Sequence, residues 1–382
     1  MTDAAAECVQ LLKDLIRIPS VNPQARETFT DPFGEHRMNN YVQQWFEDCG
    51  FNVQRETIRP GRDNLIVQTP GADTSKTLML CAHSDTVGVE DMSIEPFDPI
   101  EKEGRLYGRG SCDTKASLAC MMIAFRERVH AGRLPANLCL LVTCGEEYDM
   151  PGSRHYAAHY HEQLAGVIFG EPTCLLPVIA HKGDIRLKVS TIGRSAHSSR
   201  PEVGRNAIYA MTPLLRACES FHESLDRDHP LLGRESLVVT QIQGGHQVNV
   251  IPDQCWTVID WRLLPGRDQQ GCLDELHHCF EQAGVNAQID EITWFAPLQT
   301  ALDAPMVHCF QQALSATGHD STPQGVTYAT DGSSFAHLDI PMLVFGPGDI
   351  AQAHTRDEWI DLPHIPAALN IYRTYLNSDW GI

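Results

Sequence analysis

Residues 137–147 read NLCLLVTCGEE: an apolar, strand-forming run over 137–143 that passes through Gly145 into the adjacent acids Glu146 and Glu147. The residues around this run decide what kind of sheet it joins. Before it, the pattern predicts a helix over 115–131. After it come a helix over 152–161 and a strand over 166–169. Further strands are predicted over 51–58, 64–68 and 77–82. The first helix, over 3–17, carries Val9, Leu12 and Ile16 on one face, with Pro19 just beyond it. A second, over 35–49, carries Met38, Tyr41, Val42, Trp45 and Phe46 at helical spacing and stops at Gly50. Strands separated by helices point to a mostly parallel sheet with helices on both faces.

From Asp184 the rhythm changes. Strand 185–192, helix 205–224, strands 236–243 and 254–262, helix 269–283 and strand 287–293 make a β-α-β-β-α-β order, ferredoxin-like and the size of one small domain. After Trp294 the α/β pattern resumes with helix 304–317, strand 342–345 and helix 363–377. The expected architecture is one α/β domain built from two pieces, 1–183 and 294–382, with a second domain, 184–293, inserted between them.

Composition narrows the function. The chain has 382 residues, with 49 acidic against 29 basic and a net charge of -20. Duplex binding needs a basic footprint, so no nucleic-acid partner is expected. The longest apolar runs, such as 138–144, fall far short of the roughly 20 residues that span a bilayer, so no membrane segment is expected. The N-terminus lacks a basic start followed by an apolar stretch, and a cytoplasmic protein is expected. The 13 cysteines are odd in number and none are spaced C-x-x-C, the pattern of reduced, small core residues.

Acids and histidines gather just past the carboxyl ends of the predicted strands. His83 and Asp85 follow strand 77–82, Glu146 and Glu147 follow 137–143, Glu171 follows 166–169, and His354 comes soon after 342–345. That edge of a parallel sheet is where ligands bind. A histidine at a strand end is more often a satisfied polar group, and a Glu-Glu pair more often a solvated surface. Their joint placement is what raises the metal reading. Two histidines with several carboxylates suit a divalent transition metal. A pair of metals needs a shared carboxylate, and Asp113, in the glycine-rich turn 108–113, is the candidate. Asp85, two residues from His83, is placed to hydrogen-bond the far nitrogen of that imidazole. Glu146 and Glu147 reach one site together only if the chain turns, which Gly145 permits. Gly108-x-Gly110 lacks the third glycine of a dinucleotide loop, which removes a nicotinamide enzyme from consideration, and no nucleophile elbow or phosphate loop occurs.

These residues resemble the M20 family of metallopeptidases and deacylases over nearly the whole chain. The segments that carry the resemblance are His83-Ser84-Asp85-Thr86-Val87, 108–115 (GRGSCDTK), Gly145-Glu146-Glu147, Gly170-Glu171-Pro172-Thr173 and the distal His354. In the insert they are 193–199 (GRSAHSS) and Asn249-Val250-Ile251-Pro252. Ala116 and Gly88 depart from the family pattern, neither at a ligand position. The resemblance implies a two-metal amidohydrolase acting on a small-molecule N-acyl amino acid, with two divalent ions, zinc or alternatively cobalt. One ion would be held by His83, Glu171 and Asp113, the other by Glu147, His354 and Asp113. Asp85 would support the site, and Glu146 would be the general base. Arg262 would bind the substrate carboxylate, with His197 and Asn249 helping to bind substrate or the oxyanion. The inserted domain would act as lid and homodimer interface. A non-catalytic binding protein on the same scaffold is disfavoured by the intact Glu146.

Overall fold

The computed structural model describes residues 3–26, 28–160 and 163–382. The chain forms two compact units.

The first unit comprises Met1–Ile179, Thr300–Gln324 and Thr330–Ile382. Its elements are α1 (Asp3–Ile16), α2 (His36–Asp48), β1 (Gln54–Arg59), β2 (Arg62–Thr69), β3 (Asp73–His83), α3 (Lys115–His130), β4 (Ala136–Thr143), α4 (Pro151–His159) and β5 (Leu164–Phe169). After the second unit, with its own β6 to β9, α5 and α6 given below, the first unit resumes with α7 (Pro305–Ala316), β10 (Met342–Val344) and α8 (His364–Leu376). The strands lie in the order β1-β2-β4-β3-β5-β10. Pairings β4–β3, β3–β5 and β5–β10 are parallel, while β1–β2 and β2–β4 are antiparallel. The connection from β3 to β4 steps one way along the sheet, and that from β4 to β5 steps back across β3. With right-handed crossovers, α3 and α4 therefore cover opposite faces.

Burial follows from this layering. Every residue of β4 is buried, as expected of a strand covered on both faces. Helix α3 is buried on all sides from Lys115 through Phe125, which its sequence KASLACMMIAF anticipates by being small or apolar all round. The Lys115 ammonium is buried too and donates to the carbonyls of Leu15 (3.0 Å) and Ile18 (2.9 Å) at the end of α1. Helix α4 starts with Pro151 in its first turn, where the missing N–H is harmless, and ends at His159. The expected end at His161 lies outside the described residues.

The second unit comprises Ala180–Gln299 and Gly325–Ala329. It contains β6 (Gly183–Ile192), α5 (Ala207–Ser224), β7 (Ser236–Gly244), β8 (Gln254–Leu263), α6 (Gln269–Gln282) and β9 (Ala287–Phe295). The sheet is antiparallel throughout, in the order β7-β8-β6-β9. Strand β8 alternates buried and part-exposed residues, so one face is covered. The core under that face includes Leu187, Val189, Met211, Leu214, Ile259, Trp261, Leu276 and Phe280. Helix α5 begins at Ala207, two residues later than expected, because Asn206 caps it by accepting the N–H groups of Ile208 and Tyr209. The unit reaches slightly beyond 184–293 at each end. His181 pairs with Leu298, and the Lys182 N–H donates to the Val326 carbonyl.

Candidate metal centre

Strand β3 ends at His83, and Thr143, the last residue of β4, lies opposite it in the parallel register. The turn that follows β4 is therefore set beside His83 and Asp85. Gly145 enters that turn at φ +82°, and a side chain there would meet Pro151 and the Arg62 guanidinium, so glycine is required. The Gly145 carbonyl accepts the N–H of Met150 (2.8 Å), and the chain coils back on itself. Glu146 and Glu147 are thereby both carried on one turn.

The Asp85 carboxylate holds this turn. One oxygen accepts the N–H groups of Gly145 (2.9 Å) and Glu146 (3.1 Å). The other accepts the Glu147 N–H (3.1 Å) and the Asn22 amide (2.7 Å). Burial opposes its ionisation, but His83, the Asn22 amide and the charge of Arg62 outweigh it and hold the Asp85 pKa below its ordinary value. The expected bond from this carboxylate to the His83 imidazole is replaced by another. His83 Nδ1 donates to the main-chain carbonyl of Asp85 (3.0 Å), while the nearer carboxylate oxygen stands 3.6 Å away. The carboxylate is already occupied by three main-chain N–H groups and the Asn22 amide.

His83 Nε2 is left facing Asp113 Oδ1 at 3.1 Å and Glu171 Oε1 at 3.9 Å. The second oxygen of Asp113 faces His354 Nε2 at 3.3 Å, and the same nitrogen lies 3.0 Å from Glu147 Oε2. One carboxylate thus stands between two imidazoles, each with a further glutamate beside it. The glycines of the 346–348 loop bring this end of the chain in. A side chain at Gly346 would collide with Ser117 and with the Glu171 carbonyl. His354 itself is held at φ +61°, a left-handed conformation that non-glycine residues rarely adopt.

The electrostatics of this group call for cations. Burial raises the Glu146 carboxyl well above its usual range, and the charge of Glu171 adds to it. Burial also raises Glu171, and it raises Glu147 to about 7 with help from Asp113. Hydrogen bonds to Asp113 and Glu147 push His354 up to about 10. Burial works against ionisation of Asp113 as well, but its bonds from His354 and His83 win and hold it far below the carboxylate range. Four carboxylates crowd against two imidazoles, of which His83 is buried and His354 exposed, and such crowding of like charge is costly without positive charge among them. Glu147 Oε1 is buried with no hydrogen-bond partner among the described residues. Donor atoms of His83, Asp113 and Glu147 all lie within 4.8 Å of one another. Nitrogen and oxygen donors at these separations fit divalent transition ions.

Two further carboxylates stand behind this group. Asp331, buried on the turn Asp331–Ser334, accepts the Thr143 hydroxyl (2.6 Å), and its charge presses on Glu146 and Glu171. Glu358 accepts main-chain N–H groups of the 108–113 loop, including that of Asp113 (3.0 Å). Neither stands just past a strand predicted from the sequence, so the strand-end pattern does not single them out.

The remaining predicted residues belong to the second unit. His197 is exposed and pairs with Val250 across the short strands Ala196–His197 and Val250–Ile251, next to Asn249, whose carbonyl accepts the Ser198 N–H (2.9 Å). The Arg262 guanidinium is engaged by Asp260 at 2.8 and 3.2 Å, with Asp184 at 3.8 Å. His181 is fully buried. Its Nδ1 donates to the Lys182 carbonyl (2.9 Å), and burial lowers its pKa to about 4, so the ring is neutral.

Residues 79–378 match the family model described as peptidase family M20/M25/M40. Among relatives, an acetylornithine deacetylase of Proteus mirabilis is 32% identical over 94% of this chain and 92% of its own length. An acetylornithine deacetylase of Photorhabdus laumondii is 31% identical over 94% of this chain and 93% of its own. In fold, the chain is similar to an M20 family metallo-carboxypeptidase from Sulfolobus solfataricus, with a TM-score of 0.81 at 17% identity, covering 98% of this chain and 100% of that one. It is also similar to a dinuclear metal-binding M20 peptidase of Bacillus subtilis, with a TM-score of 0.72 at 14% identity over 98% of each chain.

Proposed function

The chain belongs to peptidase family M20/M25/M40 and is a metal-dependent hydrolase, and from that premise we propose that it deacylates N-acyl amino acids, with N-acetyl-L-ornithine as its substrate and acetate and L-ornithine as products. The observation that carries this reading is Asp113, whose two oxygens face two different histidines, each with its own glutamate. The relatives named acetylornithine deacetylase, matched nearly end to end, support the choice of substrate.

In this reading His83, Asp113 and Glu171 hold one divalent ion, and Asp113, Glu147 and His354 hold the other. Zinc or cobalt suits the donors. Such a pair, when bound, acidifies water and polarises an amide carbonyl. Glu146 is not needed as a ligand, and its place on the Asp85-held turn leaves its carboxyl available as the base. It takes a proton from the attacking water and passes it to the leaving nitrogen as the C–N bond breaks. Asp85 fixes that turn. Arg262 pairs with the substrate carboxylate, its planar fork suiting two-point contact, and exchanges Asp260 for it. His197 and Asn249 donate to the developing oxyanion. The enzyme works in the cytoplasm as a homodimer joined through the second unit. Among the described residues no helix is long and apolar enough to cross a membrane.

The test is a panel of N-acetyl and N-succinyl amino acids and dipeptides, assayed with added zinc or cobalt. The proposal expects N-acetyl-L-ornithine to have the highest kcat/KM. Turnover of N-succinyl-diaminopimelate or of dipeptides, with none of N-acetylornithine, would overturn the substrate. Bound metal without turnover of any member would mark a binding protein.

A further inference from the structure

Glu358 is fully buried and follows His354 closely in the chain. Its carboxylate is the hub of the 108–113 loop. Oε1 accepts the N–H groups of Cys112 (2.8 Å) and Asp113 (3.0 Å). Oε2 accepts the Gly110 N–H (3.0 Å) and Arg109 Nη1 (2.7 Å). The main-chain carbonyl of Glu358 takes the Gly108 N–H (3.0 Å). Arg109, also buried, donates to the carbonyls of Thr355 (3.3 Å) and Gly88 (3.0 Å), which closes the loop on the 354–358 segment from the other side. Three main-chain N–H groups and a guanidinium thus converge on one ionised group, and bonds of that kind are short, strong and directional. The segment that carries His354 and the loop that carries Asp113 are therefore fastened to each other, not merely adjacent.

We propose that Glu358 is the positioning residue of the metal centre: through the Asp113 amide it places the Asp113 carboxylate between His83 and His354, and so governs the affinity for both ions at once. This rests on the reading of Asp113 as the shared ligand. Glu358 touches neither ion nor substrate. Its effect runs through main-chain hydrogen bonds, as groups behind metal ligands commonly act. A carboxylate is required because both oxygens accept. Glutamine would turn an NH2 towards either Arg109 and Gly110 or Cys112 and Asp113.

The test is cobalt titration of the metal-stripped chain, read by the visible absorption of bound Co²⁺ and by metal stoichiometry, for Glu358→Gln and Asp113→Ala. Glu358→Gln should weaken both cobalt equivalents by about 10–100-fold, the usual effect of losing such a partner. Because Glu358→Gln leaves Arg109 uncompensated and can unfold the chain, the double variant Arg109→Met/Glu358→Gln removes the charges together and decides the matter if the single variant does not fold. Unaltered cobalt affinity in a folded Glu358→Gln or double variant, with Asp113→Ala losing both ions, overturns the positioning role alone. Retention of both ions by Asp113→Ala overturns the shared-ligand reading itself.

Discussion

Asp85→Asn is the substitution that most directly tests how the proposed base, Glu146, is held. Asparagine keeps the shape of the side chain but only one acceptor oxygen. Whichever way the amide turns, its NH2 faces donors: Gly145 and Glu146 on one side, Glu147 and Asn22 on the other. Asn22 cannot turn over freely to accept, because its own Oδ1 already takes the Gln24 N–H at 2.7 Å. Two bonds to a charged acceptor are lost in either arrangement. At about 1.5–3 kcal/mol each, the gross loss is about 3–6 kcal/mol. With about 1.4 kcal/mol per factor of ten, kcat/KM on N-acetylornithine should fall by about 10²–10⁴ if the turn must stay in place for catalysis. His83 keeps its bond, because that bond goes to the main-chain carbonyl of residue 85. The loss should therefore fall on the Glu147 and His354 side, with one ion bound more weakly and the other little changed. The assays are steady-state kinetics at saturating cobalt and metal titration of the stripped chain. A variant within about threefold of the unaltered kcat/KM would refute the claim that this carboxylate holds the catalytic turn, given the expected magnitude.

Glu146→Gln should retain both ions while kcat drops by about 10²–10⁴, the worth of a positioned base; near-normal turnover would exclude it from proton transfer. His354→Ala should weaken one metal site more than the other, read as a biphasic cobalt titration, and equal weakening of both would contradict the two-set arrangement. Stability should fall on acidification partly through His181. Burial holds its pKa at about 4 in the folded chain, against about 6.5 when exposed, so the unfolded chain binds more protons between those values and folding loses on the order of 3 kcal/mol as the pH drops through that window. His181→Gln should reduce the difference between urea midpoints at pH 7 and pH 4.5, and an unchanged difference would show that His181 does not carry it.

How much of this was visible beforehand depended on distance along the chain. An apolar run that ends in acids announces both a strand and its functional end, so Glu146, Glu147 and Glu171 could be placed from their own neighbourhoods. His83 and Asp85 share a face because they are two apart. What Asp85 does with its oxygens could not be read, because it follows from the pairing of His83 with Thr143 across two parallel strands. The same holds for Glu358, whose partners lie in a loop far earlier in the chain, and for Asp331, which meets Thr143 from a remote turn. The start of α5 differs from the expected one for a local reason: Asn206 lies inside the stretch 205–224, yet asparagine is favoured as the residue that caps a helix.

The interrupted layout of the first unit also sets an order of events during synthesis. Strand β10 completes the parallel part of its sheet by pairing with β5, and α8 packs on α3, yet both emerge only after the whole of residues 180–299 has been made. Domains generally fold as units while the chain lengthens, and pairings between distant segments form slowly. Until β10 is made, β5 therefore lacks its partner on that side, while most of the second unit is already complete in sequence. His354 arrives last of the groups proposed to hold metal, so the set of Asp113, Glu147 and His354 is completed only near the end of synthesis, whereas His83, Asp113 and Glu171 are all made before the second unit begins.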